Sequence, residues 1–194
     1  MIENGTNTGS GKKGNMTQEI NEPTTRPQWP GDLRQWLGTA ELVKLVLEAV
    51  QKVDWSFPPL MTLQQQERRF RPQILLTLLS YSYASGLYES EEIEAGVYSD
   101  ATLRYLAAKS FPDRRTLRRF RRQQRELIKQ CLIHVFKEAW RMKCGPDMDA
   151  PCPWPCYEAT VGKPWFTSSD MRQLYFAAEE RLDRAVFLDG MAID

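Results

Sequence analysis

Long apolar runs are missing from this chain of 194 residues, and the longest, Ile74 to Leu79, is interrupted by Thr77. A helix that crosses a bilayer needs about 20 apolar residues, so no membrane span is expected. The opening stretch, Met1 to Met16, is rich in Gly, Asn, Thr and Lys and has no apolar segment of the kind a secretory signal requires. A chain that stays in the cytoplasm is expected. The period-two alternation of a half-buried strand is nearly absent. Histidine is represented only by His134, which has no neighbouring pattern of nucleophile or orienting partner. No glycine-rich loop that could cradle a phosphate is present either. Hydrolase, kinase and nucleotide-binding readings therefore find no positive support.

Cysteine is sparse as well: Cys131, Cys144, Cys152 and Cys156. In a secreted domain four would make an even disulfide set, but a reducing compartment favours free thiols, so no disulfide is expected. Zinc would want two tight ligand pairs. Only Cys152 and Cys156 form one, and His134 falls inside a helical pattern, so no metal or other cofactor is expected. Three residues separate that pair where a redox motif would have two.

A hydrophobic content of 42% and a charged content of 26% describe a globular domain, and the length suffices for a real core. The net charge of +1 conceals a polarity. Lys109 to Lys143 gathers Lys109, seven arginines, Lys129, Lys137, Arg141 and Lys143 against only Asp113, Glu126 and Glu138. The seven are Arg114, Arg115, Arg118, Arg119, Arg121, Arg122 and Arg125, with no acid from 114 to 125. At roughly 100° per helical residue they span about 160° of arc, and Leu117, Phe120, Leu127, Ile128, Cys131 and Val135 lie on the other side. The planar guanidinium fork suits phosphate and the edge of guanine, and a one-sided array of it is the footprint of a nucleic-acid-binding helix. The competing reading is a solvated face paired with the acids of Glu89 to Glu94.

The rest of the chain reads as helices and loops. Residues 1–30 are too polar to repay the entropy of ordering and are expected to form a disordered arm. Residues 31–144 form the helical domain, 145–167 a proline-rich loop and 168–194 a C-terminal helix. Within the domain, Thr39 is a candidate N-cap for a helix with Leu42, Leu45, Val46, Ala49, Val50 and Val53 on one face. Pro72 suits a helix start, and Ile74 to Leu87 is apolar on nearly every side, which places it at the centre. Glu89 to Tyr98 is a short acidic helix. Ser99 or Asp100 caps Ala101 to Ala108, and Asp113 caps a basic helix running to about Arg141. Short helices, a tight turn and a basic helix outline a helix-turn-helix. Tyr81, Tyr83, Tyr98 and Tyr105 stand at helical spacing among leucines and are expected in the core. The fold class is all-α: a compact helical domain with a helix-turn-helix-like arrangement and a long basic helix.

Two blocks carry a resemblance. Phe70-Arg71-Pro72-Gln73-Ile74-Leu75-Leu76-Thr77-Leu78-Leu79-Ser80-Tyr81-Ser82-Tyr83, followed by Gly86, is one. Leu103-Arg104-Tyr105-Leu106 and then Phe111-Pro112-Asp113-Arg114-Arg115-Thr116-Leu117-Arg118-Arg119-Phe120-Arg121 is the other. In order and spacing they resemble the N-terminal domain of bacterial insertion-sequence transposases, the InsH-type domain, over roughly Glu41 to Trp140. The resemblance implies a helical domain that binds the element's terminal DNA and precedes a catalytic domain with three metal-holding carboxylates on a sheet. No such sheet is legible here, and Asp189, the one aspartate that superficially resembles its beginning, reads better as a solvated helix end.

The expected function is therefore a transposase-derived DNA-binding protein, bacterial and nucleoid-associated, that binds duplex DNA through the seven arginines and does not cut it alone. Its expected partners are insertion-sequence ends, full-length transposase or a second copy. Two other readings remain open. One is a helical interaction module or transposase gene fragment without a DNA-binding role; the other is an active transposase assembled with a catalytic domain on another chain.

Overall fold

The computed structural model describes residues 30–55, 70–144 and 171–191, and among these it contains eight helices and no strand. In chain order they are α1 (Arg34–Leu37), α2 (Thr39–Gln51), α3 (Pro72–Ala84), α4 (Ser90–Ser99), α5 (Ala101–Leu106), α6 (Arg114–Gln123), α7 (Arg125–Cys144) and α8 (Met171–Met191). The protein is all-α. None of these helices is long and apolar enough to cross a membrane.

The most apolar stretch occupies the centre. Pro72 starts α3, where its fixed φ is pre-set for a helix and its missing N–H is not needed. From Leu75 to Ala84 every residue is buried, and α2, α5, α6, α7 and α8 all pack on this helix. The helix closes with a left-handed Gly86 at φ 81°. The Leu87 amide reaches back to the Ser82 carbonyl at 2.8 Å and the Gly86 amide to Tyr83 at 3.3 Å, the paired C-terminal bonds of a Schellman turn. No other residue fits at this position: a Cβ on Gly86 would lie 2.6 Å from the Gly31 carbonyl oxygen.

The remaining helices follow their patterns with four corrections. Gly38, not Thr39, stands at the N-cap of α2, and Leu42, Leu45, Val46, Ala49 and Val50 form its buried face as the spacing predicts. The short α1 is an element that periodicity could not have revealed; Asp32 Oδ1 accepts from the Arg34 amide at its start, at 2.8 Å. Asp100 and Asp113 cap α5 and α6 through Leu103 and Thr116 amides at 2.8 and 2.7 Å.

The basic helix expected to run unbroken to Arg141 is instead two helices, α6 and α7, because the chain leaves helical geometry at Gln124 (φ −119°, ψ 29°). A straight rod over 114–141 would be about 42 Å long, whereas α3 measures about 20 Å. The break lets Leu117 and Phe120 on one side, and Ile128, Cys131 and Val135 on the other, all reach the core.

Tyr81 and Tyr83 are buried as expected, but Tyr98 and Tyr105 are exposed. Tyr98 stacks on exposed Phe111 with ring centroids 4.8 Å apart. They sit on α4 and α5, helices so short that Ile93, Val97, Leu103 and Leu106 already fill the inward positions.

Helix α8 lies against α7 and α3 and buries Leu174, Ala177, Ala178, Leu182 and Ala185. Arg181, in the middle of that face, is also buried. Its guanidinium donates to the carbonyls of Gly31 and Ala84 at 3.0 and 3.1 Å, and to those of Pro30 and Tyr83, and it stands over the Phe136 ring. Tyr83 and Ala84 are the last two residues of α3, where helix carbonyls carry partial negative charge. A buried cation is thus satisfied mainly by backbone.

Candidate nucleic-acid interface

The turn before α6 sets the direction of the arginines. Ala108 and Lys109 both adopt positive φ, 49° and 62°, a left-handed conformation that non-glycine residues seldom take. The Ser110 amide closes the turn on the Ala107 carbonyl at 2.8 Å. Helix α6 then starts at Asp113 with Leu117 and Phe120 buried, which turns Arg115, Arg119 and Arg122 away from the core.

The seven arginines separate into two sets. Arg114, Arg115, Arg119 and Arg122 are exposed, Arg118 and Arg125 are half-buried, and Arg121 is buried at 4% exposure. Arg114 ion-pairs with Glu91 at 2.9 Å, and its amide donates to Glu94 at 3.2 Å. This part of the alternative reading, in which arginines meet the acids of Glu89 to Glu94, is therefore found. The deeper partners come from α8. Asp189 pairs with Arg121 at 2.6 Å and with Arg118 at 3.3 Å. Arg125 bonds Glu179 and, at 2.7 Å, Asp183. Glu179 also holds the buried Lys129 at 3.0 Å.

Asp189, expected as a solvated helix end, is buried at 3% exposure. It accepts from the Ser90 amide and hydroxyl at 2.8 and 2.6 Å in addition to the two arginines. Burial alone would push its carboxyl up; the Ser90 and Arg121 hydrogen bonds outweigh that and hold it below the ordinary aspartate value. Arg121 in turn donates to the Tyr83 hydroxyl at 3.3 Å, and burial raises that phenol to about 12. In Glu179 the Arg125 hydrogen bond is the main cause of a lowered carboxyl. Asp189 and Glu179 are thus ionised at neutral pH.

Between α6 and the end of α8 runs a groove of about 710 Å³, lined by Arg115, Arg118, Arg119, Arg122, Val186 and Gly190 among others. Its electrostatics are lopsided. Of the two carboxylates that line it, Asp113 caps α6 and Asp189 serves two guanidiniums, and the exposed arginines stand along its rim. Such a surface is suited to a polyanion.

Residues 41–123 match the family model described as a transposase domain (DUF772). Over these residues the chain is similar to a transposase domain. The match takes in α2 to α6 and both resembling blocks, and it ends with the last residue of α6, so α7 and α8 lie beyond the matched transposase domain. Neither the curated proteins nor the solved structures include a match to the chain.

Other candidates are placed more briefly. His134 is half-buried on α7, with Lys52 Nζ 3.1 Å from its Nε2; burial and then the Lys52 charge lower its pKa. Cys131 is buried and its thiol is pushed up to about 12, which makes it unreactive. Cys152, Cys156 and the Cys144 side chain lie outside the described part of the structure. Among the described residues no cluster of three potential metal ligands occurs.

Proposed function

We propose that the protein binds duplex DNA through the outer row of α6, Arg115, Arg119 and Arg122, as a transposase-derived binding module that does not cleave the strand on its own. One observation carries this reading. Arg115, Arg119 and Arg122 stand on successive turns of a short helix and face away from the core along an open groove, and Asp189 at the base of that groove is held by Arg118 and Arg121. Arg114 stands at the amino-terminal edge of the row, and Arg118, Arg121 and Arg125 act behind it, fixing the helix in place. The transposase-domain match over 41–123 is consistent with DNA as the polyanion.

Contacts of this kind to phosphate position a protein without reading sequence, and guanine edges become reachable only if α6 enters the major groove. The short α5, the left-handed turn and α6 are the elements that would make that entry in the manner of a helix-turn-helix. The test is electrophoretic retardation of a duplex across ionic strengths, comparing the natural protein with Arg115→Gln/Arg119→Gln/Arg122→Gln. Each phosphate contact contributes about 0.9 to the slope of log affinity against log salt, so the triple variant should lose about two to three in slope. A slope that is flat in the natural protein, or the same in both, rejects the reading.

A second reading rests on a different surface. Phe176 and Phe187 are 58% and 64% exposed on α8, three turns apart on its outer side, with Met191 beyond them. An apolar outer stripe of this kind fits a protein interface, which a loss of self-association or pull-down in Phe176→Ser/Phe187→Ser would reveal.

A further inference from the structure

The carboxylates of α8 face cations of α6 and α7. Glu179, Asp183 and Asp189 between them engage Arg118, Arg121, Arg125 and Lys129, all four on α6 and α7 and all 32% exposed or less at the side chain. The engagement differs sharply between Asp189 and Asp183. At the carboxyl-terminal end, Asp189 and Arg121 are each 4% exposed at the side chain and further fixed by Ser90 and Tyr83. One and a half turns earlier, Asp183 is 68% exposed and touches Arg125, itself 32% exposed. Pairs that open to water are weak and salt-sensitive, whereas a buried, fully hydrogen-bonded pair persists. Asp189 is therefore an anchor and Asp183 a loose contact.

We propose that α8 is a built-in competitor for the arginine surface: Asp189 keeps it attached, while Asp183 and Glu179 withhold Arg125 from phosphate until a polyanion displaces them. This rests on the DNA-binding reading above and adds its regulation. Arg125 begins α7 immediately after the break at Gln124, so it continues the basic surface of α6 by one more turn when released. The number of cations offered to DNA is then set by a helix beyond the matched transposase domain.

The experiment uses the full chain. Asp183→Asn removes the exposed partner, and Glu179→Gln/Asp183→Asn removes both. Glu180→Gln is the control, since Glu180 is an exposed acid on the same helix and the substitution changes net charge by the same amount as Asp183→Asn. Two probes are applied to each: a duplex of about 20 base pairs, and a heparin column eluted with salt. With the duplex, Glu179→Gln/Asp183→Asn should steepen the salt slope by about one, and Asp183→Asn by part of that because Glu179 still holds Arg125, each relative to both the natural protein and Glu180→Gln. On heparin Asp183→Asn should elute at higher salt than the natural protein or Glu180→Gln. A natural protein that binds duplex with a steep slope, together with an Asp183→Asn variant no different from Glu180→Gln, overturns the competitor role and leaves DNA binding intact. Absence of duplex binding in every protein, with the heparin shift still confined to the Asp183 variants, overturns the DNA reading and keeps the competition for polyanions. Because Asp183 is mostly exposed, its single variant keeps the test valid should the double one fail to fold, which a thermal melt reports.

Discussion

Arg121 and Arg122 are neighbours in the chain, yet one is buried in an ion pair with Asp189 and the other stands in water. The difference is angular. Taking 100° per residue, the buried face of α6 centres between Leu117 and Phe120; Arg115 and Arg122 lie about 170° from that centre and Arg119 about 130° to one side, whereas Arg118 and Arg121 lie about 130° and 70° to the other side, on one flank. A flank is where the next helix packs, and here that helix is α8 with its acids. Identical side chains thus acquire two jobs, holding the helix down and presenting charge, according to which way the cylinder is turned.

The comparison breaks most severely at Asp189. Asp189→Ala leaves Arg121 buried without its anion, and such a loss costs about 3–5 kcal/mol, to be read as a lowered midpoint in chemical denaturation. Replacing both partners, Arg121→Leu with Asp189→Leu, should recover much of that, since an apolar pair of similar volume is often tolerated; no recovery would mean that Arg118 and Ser90 depend on the carboxylate more than Arg121 does.

Acid sharpens the same contrast with a smaller effect. Asp189 and Glu179 both have folded-state values below their ordinary ones. The stability they contribute is therefore fully present above the ordinary carboxylate range, about 4, and is lost as pH falls through the lower folded values. The melting temperature should drop between about pH 4 and pH 2 in the natural protein, and less so in Asp189→Ala. Arg115→Gln or Arg122→Gln should shift stability by no more than about 0.5 kcal/mol, and a larger loss would show that the outer row also serves the fold.

Much of this was legible in the residues themselves. The apolar run of α3, the caps Asp100 and Asp113, and the inward face of α6 follow from local spacing, because a helix carries its periodicity with it. The all-α class and the transposase domain were legible too, the latter from the two blocks it contains. The break at Gln124 was not, since nothing local distinguishes that residue from its neighbours; the finite length of α3 imposes it. Nor were the acids of α8. Arg125 and Glu179 are 54 positions apart, and Arg118 and Asp189 are 71 apart, so only the packing of α8 on α7 brings them together. Local spacing shows that α6 is cationic on one side, but not which of its charges already have partners.

Arg181 ties together parts of the chain that lie far apart. By gripping the carbonyls of Pro30 and Gly31 along with those at the end of α3, a residue of the final helix fastens the first described segment to the core. Loosening either end should therefore release the other. Amide hydrogens near Leu33 and those along α8 ought to exchange with solvent as one cooperative unit, so that whatever lifts the final helix is felt at the opposite terminus as well.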